Sequence, residues 1–219
     1  MRISPALLLA LWPVSFSSQA VAHPHIFVDT RFEVLVDAQN NVTHIRVSWS
    51  YDDLYSLLLA EDFDIDQDGD GTLTPKETAL ITGFDMKWIP GYDGDLDAIS
   101  AGRKLKLSAP MDYTADMTDG IITTTHLRAV EDAPTLTETL TLKPYDAGFY
   151  TAYDVTQPTI ITGGVGCREN LITPDIDAAL EEMRTQIAQL DPNVDLEGEG
   201  FPTLGEKFAP TIEITCPAI

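Results

Sequence analysis

IFVDTRFEVLVDAQNNVTHIRVSWSY, residues 26–51, is written with a period of two. Ile26, Val28, Thr30, Phe32, Val34 and Val36 fall on one face, while Asp29, Arg31, Glu33 and Asp37 fall on the other. Successive side chains of an extended strand point to opposite sides, so this pattern specifies a strand with one buried face. Ala38-Gln39-Asn40-Asn41 supplies turn residues, and Val42 to Tyr51 alternates again through Thr43, Ile45, Val47, Trp49 and Tyr51. Two such runs joined by a short polar turn read as an antiparallel hairpin.

Moving outward, Arg103 to Ser108, Ile121 to Val130, Leu136 to Lys143, Phe149 to Val155 and Thr211 to Thr215 carry the composition of further strands. Pro90 to Asp97 is a Gly/Asp-rich connection, and Asp191 to Gly205 reads as loop. Pro174 to Leu190 is the strong amphipathic helix, with Ile176, Leu180, Met183, Ile187 and Leu190 as its apolar stripe and Thr173 and Pro174 at its start. The expected fold is α+β: a mainly antiparallel, sandwich-like sheet domain with an inserted helix–loop–helix at about 53–84 and one late amphipathic helix.

The insertion holds the clearest chemistry. Asp66 to Glu77 reads DQDGDGTLTPKE, a twelve-residue calcium loop of EF-hand type. Asp66, Asp68 and Asp70 stand at positions 1, 3 and 5, Thr72 offers its carbonyl at position 7, Thr74 stands at position 9, and Glu77 closes the loop at position 12. Gly71 occupies position 6, where the chain turns through positive φ. A register starting at Asp64 would place Pro75 at position 12, which has no carboxylate. Thr74-Pro75-Lys76-Glu77 is also a helix start, with N-cap, Pro at N1 and Glu at N3. That reading explains the second half of the loop and leaves the three alternating aspartates to calcium or to solvated turns. Asp62 stands where an aromatic residue usually packs before such a loop, and no second loop follows. A lone hand of this kind is expected to be a structural clamp or a weak extracellular site, ~10⁻⁴–10⁻³ M.

The first 22 residues have the layout of a cleaved secretory signal: Arg2, an apolar run from Ala6 to Trp12, then Ala20-Val21-Ala22 as an A-x-A site. The exported domain then spans residues 23–219, without a segment apolar enough to cross a membrane. Formal charge is −22, from 35 acidic and 13 basic residues. Such a surface repels nucleic acid and anionic membranes and attracts cations. Cys167 and Cys216 are the two cysteines, an even pair that in an oxidising compartment reads as one disulfide.

Cleavage after Ala22 would expose His23-Pro24-His25. An N-terminal histidine chelates a transition metal through its α-amine and imidazole, and His25, His44 or His126 would be needed to complete a site. His44 and His126 are each expected on the more polar face of a strand; surface or satisfied core histidines are the plain alternative. Enzyme signatures are missing: there is no G-x-S-x-G elbow, H-E-x-x-H helix or phosphate loop. Gly163-Gly164-Val165-Gly166-Cys167 reads as a tight loop presenting the cysteine.

The chain resembles the domain of unknown function 1007 family of bacterial periplasmic proteins. The likeness rests on His23-Pro24-His25-Ile26-Phe27-Val28-Asp29, Trp49-Ser50-Tyr51-Asp52 and the Asp-rich loop ending at Glu77. It continues through Tyr145-Asp146-Ala147-Gly148-Phe149-Tyr150, Gly166-Cys167-Arg168, and Phe208-Ala209 leading to Cys216. Members are labelled as periplasmic components of ABC-type transport systems and tend to be encoded near nickel/cobalt permeases. The resemblance implies a non-enzymatic periplasmic accessory to transport of Ni²⁺, Co²⁺, Zn²⁺ or Cu²⁺, with an inner-membrane metal permease as partner and His23 and His25 as contacts; the loop at Asp66–Glu77 adds Ca²⁺ as its expected ion. The alternatives are a calcium-stabilised binding module for another envelope protein and a copper-dependent oxidative enzyme built on His23.

Overall fold

The computed structural model describes residues 24–131, 134–191, 194 and 203–218; the expected leader, His23 and most of the 191–205 loop lie outside them. The opening hairpin forms as read. β1 (Ile26–Val36) and β2 (Val42–Tyr51) pair antiparallel, with Thr30 opposite Trp49 and Phe32 opposite Val47. Val28, Thr30, Phe32 and Val34 are buried, whereas Arg31 is exposed. The register shifts at the turn end, where Leu35 faces His44 and Val36 faces Val42. Thr43 is therefore the extra residue of a bulge, and Val42 takes the inward place expected of Thr43.

The chain continues through α1 (Asp53–Asp62), α2 (Pro75–Ile81), a 3₁₀ turn at Phe84–Met86, β3 (Leu96–Ser100), β4 (Arg103–Lys104), β5 (Met111–Thr118) and β6 (Ile121–Ala129). Then come β7 (Leu140–Pro144), β8 (Thr151–Asp154), β9 (Ile160–Thr162), β10 (Arg168–Ile172), α3 (Ile176–Ile187), a 3₁₀ turn at Gly205–Phe208 and β11 (Thr211–Thr215). One sheet runs β5-β6-β2-β1-β8, with β9 also on β1; the other runs β10-β11-β7-β3-β4. β8 and β9 join the free edge of β1 in parallel, at Ile26–Asp29 and Glu33–Leu35; every other pairing is antiparallel.

Inward-facing Phe32, Val34, Ile45 and Val47 of the first sheet share one core with Ala98, Leu140, Leu142, Ile212 and Ile214 of the second. This is the sandwich expected of two half-buried sheets. Burying each of these side chains other than Ala98 contributes about 1.5–3 kcal/mol. Cys167 and Cys216 form a disulfide. Arg168 pairs with Thr215 in the β10–β11 ladder, so the bond caps the next rung. A Cβ on Gly164 would strike the Cys167 sulfur, consistent with a loop that presents the cysteine.

Some elements differ from expectation. The strand expected over Arg103–Ser108 is only Arg103–Lys104, with Leu107 making an isolated bridge to Val130. The run expected from Leu136 enters its strand at Leu140. β3, β5, β9 and β10 were not anticipated, because three of them are largely exposed strands and β3 follows an acidic connection. In α3 the cap is Asp175, whose side chain accepts from Ala178 N, and the buried face centres on Ala179 and Met183. Ile176, expected in the buried stripe, is 47% exposed.

Helix α1 is seated by a serine. Ser56 Oγ donates to Tyr51 O (3.3 Å) and accepts from Ile122 N (3.0 Å), tying the helix to β2 and β6. Asp52 caps it by accepting from Tyr55 N at 2.9 Å. Leu59 is buried there, while Leu54, Leu57 and Leu58 remain exposed.

Candidate metal centre

The loop after α1 turns sharply at Asp64 and Asp66, whose φ values are 56° and 50°, and at Gly71, with φ 75°. Asp66 Oδ1 accepts from Gly71 N (3.0 Å), folding position 1 over position 6. Asp70 Oδ1 accepts from Thr72 N (2.9 Å) and from Thr72 Oγ1 (2.7 Å). Ligand atoms of Asp66, Asp68 and Asp70 lie within 4.8 Å of one another. The donors are all carboxylate oxygens, which suit a hard divalent cation such as Ca²⁺.

Glu77 is not part of that converging group. Its Oε1 accepts from Asp66 N (3.0 Å), and its Oε2 accepts from Thr74 N (2.8 Å) and Thr74 Oγ1 (2.6 Å). The same contacts form a capping box at the start of α2, with Pro75 in the first turn. These donors hold the Glu77 carboxyl below its ordinary value. Glu77 thus joins positions 1, 9 and 12, and the helix-start reading of this segment holds.

Where a second hand would pair, a hairpin tip is found. Gly120 N, in the β5–β6 turn, donates to Gly71 O at 3.1 Å. A Cβ at position 6 would approach Gly120 N to 3.0 Å, so glycine is required there by both the turn and its neighbour. Leu73 packs against the main core.

Among the described residues the histidines do not converge, and His23 lies outside them. His25 is exposed, and its ring packs on Tyr150 at 4.6 Å. His44 faces Leu35, ten positions along β1 from His25, a span of roughly 33 Å. His126 corrects the expectation of a polar face: it is 1% exposed, between Trp49 (4.8 Å) and Trp88 (5.5 Å). It sits opposite Val47, on the inward face, while His44 points outward beside buried Ile45. Among the described residues neither ring nitrogen of His126 has a hydrogen-bond partner, and burial pushes its pKa down to about 3. It is a neutral core imidazole in T-shaped contact with both indole rings.

Two interior carboxyls went unnoticed in so acidic a sequence. Asp85 Oδ2 accepts from Tyr51 OH (2.8 Å) and Thr124 Oγ1 (2.6 Å), and Asp95 Oδ2 accepts from Tyr153 OH (2.8 Å). Burial raises both, Asp95 to about 6. Buried tyrosines opposite an aspartate were the available signal, but alternation does not say which strands face each other.

The second concavity is a cleft of about 820 Å³ between the outer face of the first sheet and α3, bordered by Phe27, Asp29, Phe149, Asp154, Ile176 and Leu180. None of the three described histidines, His25, His44 and His126, lines it.

No curated protein of known role matches the sequence. Among solved structures, a similar one is the acetylcholine-binding protein type 1 of Biomphalaria glabrata. It shares 10% identity and a TM-score of 0.37 over 94% of this chain and 92% of that one. The profile of a family described as "Protein of unknown function (DUF1007)" matches residues 8–216. The histidine-led opening, the Asp-rich loop and the closing cysteine strand thus find their place together: the chain belongs to the DUF1007 family.

Proposed function

We propose that this protein is an exported calcium-binding accessory of the periplasm that assists transition-metal transport. The observation that carries the calcium part is the convergence of Asp66, Asp68 and Asp70 within 4.8 Å on a loop closed by Glu77. In the bound form those carboxylates, the Thr72 carbonyl, Thr74 and Glu77 would hold the ion. Calcium supplies no reaction here; it offsets carboxylate repulsion and fixes the turn between α1 and α2. The transition-metal part rests on the family likeness, on the sequence position of His23, and on His25 just ahead of the first strand. Against the copper-enzyme reading, His44 and His126 lie elsewhere in the sheet and bring no further imidazole to His25 among the described residues. The binding-module reading is favoured by the apolar cleft against α3.

Calorimetric titration of the mature chain separates these readings. One Ca²⁺ per chain is expected, with a dissociation constant of ~10⁻⁴–10⁻³ M. A second isotherm with Ni²⁺ or Zn²⁺, removed by His25→Ala, supports metal handling. Silence with those ions leaves the calcium-stabilised binding module, and silence with Ca²⁺ ends the calcium reading.

A further inference from the structure

We propose that the cleft between the first sheet and α3 is a binding site for a small amphipathic organic cation, an amine with an apolar body. The proposal is independent of the calcium loop. The volume, about 820 Å³, lies within the ~300–1,000 Å³ usual for small-ligand sites.

The floor is built by strand register. In the parallel β1–β8 ladder Phe27 is level with Ala152 and Asp29 with Asp154, and Ser50 of β2 faces Asp29. Alternation puts these side chains on the face away from buried Val28 and Thr30. Opposite them, α3 contributes Ile176 and Leu180, and Phe149 and Phe208 close the apolar end. The two phenylalanines stack at 3.9 Å, which fixes that wall. Phe27 is 55% exposed and Ile176 47% exposed, apolar surface that an occupant would take out of water.

The other end is negative. Asp29 and Asp154 stand side by side across the ladder, an arrangement in which like charges oppose each other. Asp29 accepts from Thr156 N (3.2 Å) and Thr156 Oγ1 (2.7 Å), and Asp154 accepts from Val155 N (2.8 Å). Those bonds aim the carboxylates without neutralising them. Asp52 and Asp53 also line the cleft, Asp52 beside Phe27 with its carboxylate accepting from Phe27 N and Tyr55 N, and no lysine, arginine or histidine lines it among the described residues. An ammonium group between Asp29 and Asp154, with its alkyl or aryl body against Phe27, Ile176 and Leu180, satisfies both ends at once.

Octylammonium, octanol and octanoate share one chain length and differ in head charge. The full exported chain is titrated with each by calorimetry at pH 7 in saturating Ca²⁺, with methylammonium as the charge-only control. Octylammonium is expected to bind 1:1 and about tenfold more tightly than octanoate, the combined factor of one modest ion pair gained and one like-charge repulsion avoided. Asp154→Asn should shrink that preference and leave octanol unchanged. Phe27→Ser, at an exposed position, should weaken all three octyl ligands while the melting temperature holds. The proposal is overturned if octanoate equals octylammonium, if methylammonium binds as well as octylammonium, or if no octyl compound binds. It is also overturned if octylammonium binds only after Ca²⁺ is removed, because the paired aspartates then hold a metal.

Discussion

Asp68→Asn should reverse sign with calcium. Asp66, Asp70 and Glu77 all accept hydrogen bonds that shape the loop, whereas Asp68 makes none of these contacts, so its charge can be removed without dismantling the turn. Its carboxylate lies within 4.8 Å of those of Asp66 and Asp70. Two unit charges at that separation repel by about 1 kcal/mol in a water-like dielectric. In a calcium chelator the variant should therefore be as stable as the parent or about 1–2 kcal/mol more stable, less at high salt. In 10 mM Ca²⁺ the parent gains RT ln(1 + [Ca²⁺]/Kd), roughly 1.4–2.7 kcal/mol for a Kd of ~10⁻³–10⁻⁴ M. At about 2–4 °C per kcal/mol for a chain this long, the parent should melt roughly 3–10 °C higher in calcium. The variant should show little of that rise. Thermal melts of both proteins by circular dichroism, in chelator, in Ca²⁺ and in NaCl of matched ionic strength, should show the parent ahead only in Ca²⁺. Equal calcium shifts for parent and variant, or a variant already weaker in chelator, would refute the reasoning.

Other outcomes follow from the interior. His126 has its pKa pushed to about 3 by burial, against 6.5 when free. The unfolded chain therefore takes up a proton that the folded chain refuses, and stability falls as pH drops below 6.5, by up to about 1.4 kcal/mol per pH unit. His126→Phe should flatten that part of a urea-midpoint profile between pH 6.5 and 4; an unchanged slope would assign the loss to other groups. Asp95 acts in the opposite direction. Its raised value, about 6 against 3.8, makes the folded state the better proton binder. Asp95→Asn should therefore raise the urea midpoint at pH 7 relative to pH 4. Finally, replacing Cys167 and Cys216 by alanine opens a crosslink spanning 49 residues, which in the chain-entropy model costs about 4 kcal/mol. Denaturant unfolding should show a midpoint shift of that order, and a loss below 1 kcal/mol would mean that the unfolded chain is already compact there.

The opening hairpin was legible because one face is buried and the other wet, so period two leaves a single register. The capping box at Thr74 and the last strand, Thr211–Thr215, were equally legible from local chemistry. β5 and β10 were not, since strands exposed over much of their length need no apolar face. β6 shows the limit of alternation. Its inward residues include Thr124, His126 and Arg128, so polarity alone placed His126 on the wrong side. The loop carboxylates were found because their spacing is local. The cleft was not, because its walls come from residues near 27, 150 and 176, joined by the parallel β1–β8 pairing that no nearby turn announces.

The bond from Gly120 N to Gly71 O makes the acidic turn a shared possession of two distant stretches of chain. A dodecapeptide copied from residues 66–77 would lack that clasp and would have to order itself unaided. The ion capture proposed for this loop would thus be a property of the assembled sandwich, and its strength would report, from one end of the molecule, whether the β5–β6 ribbon is in place.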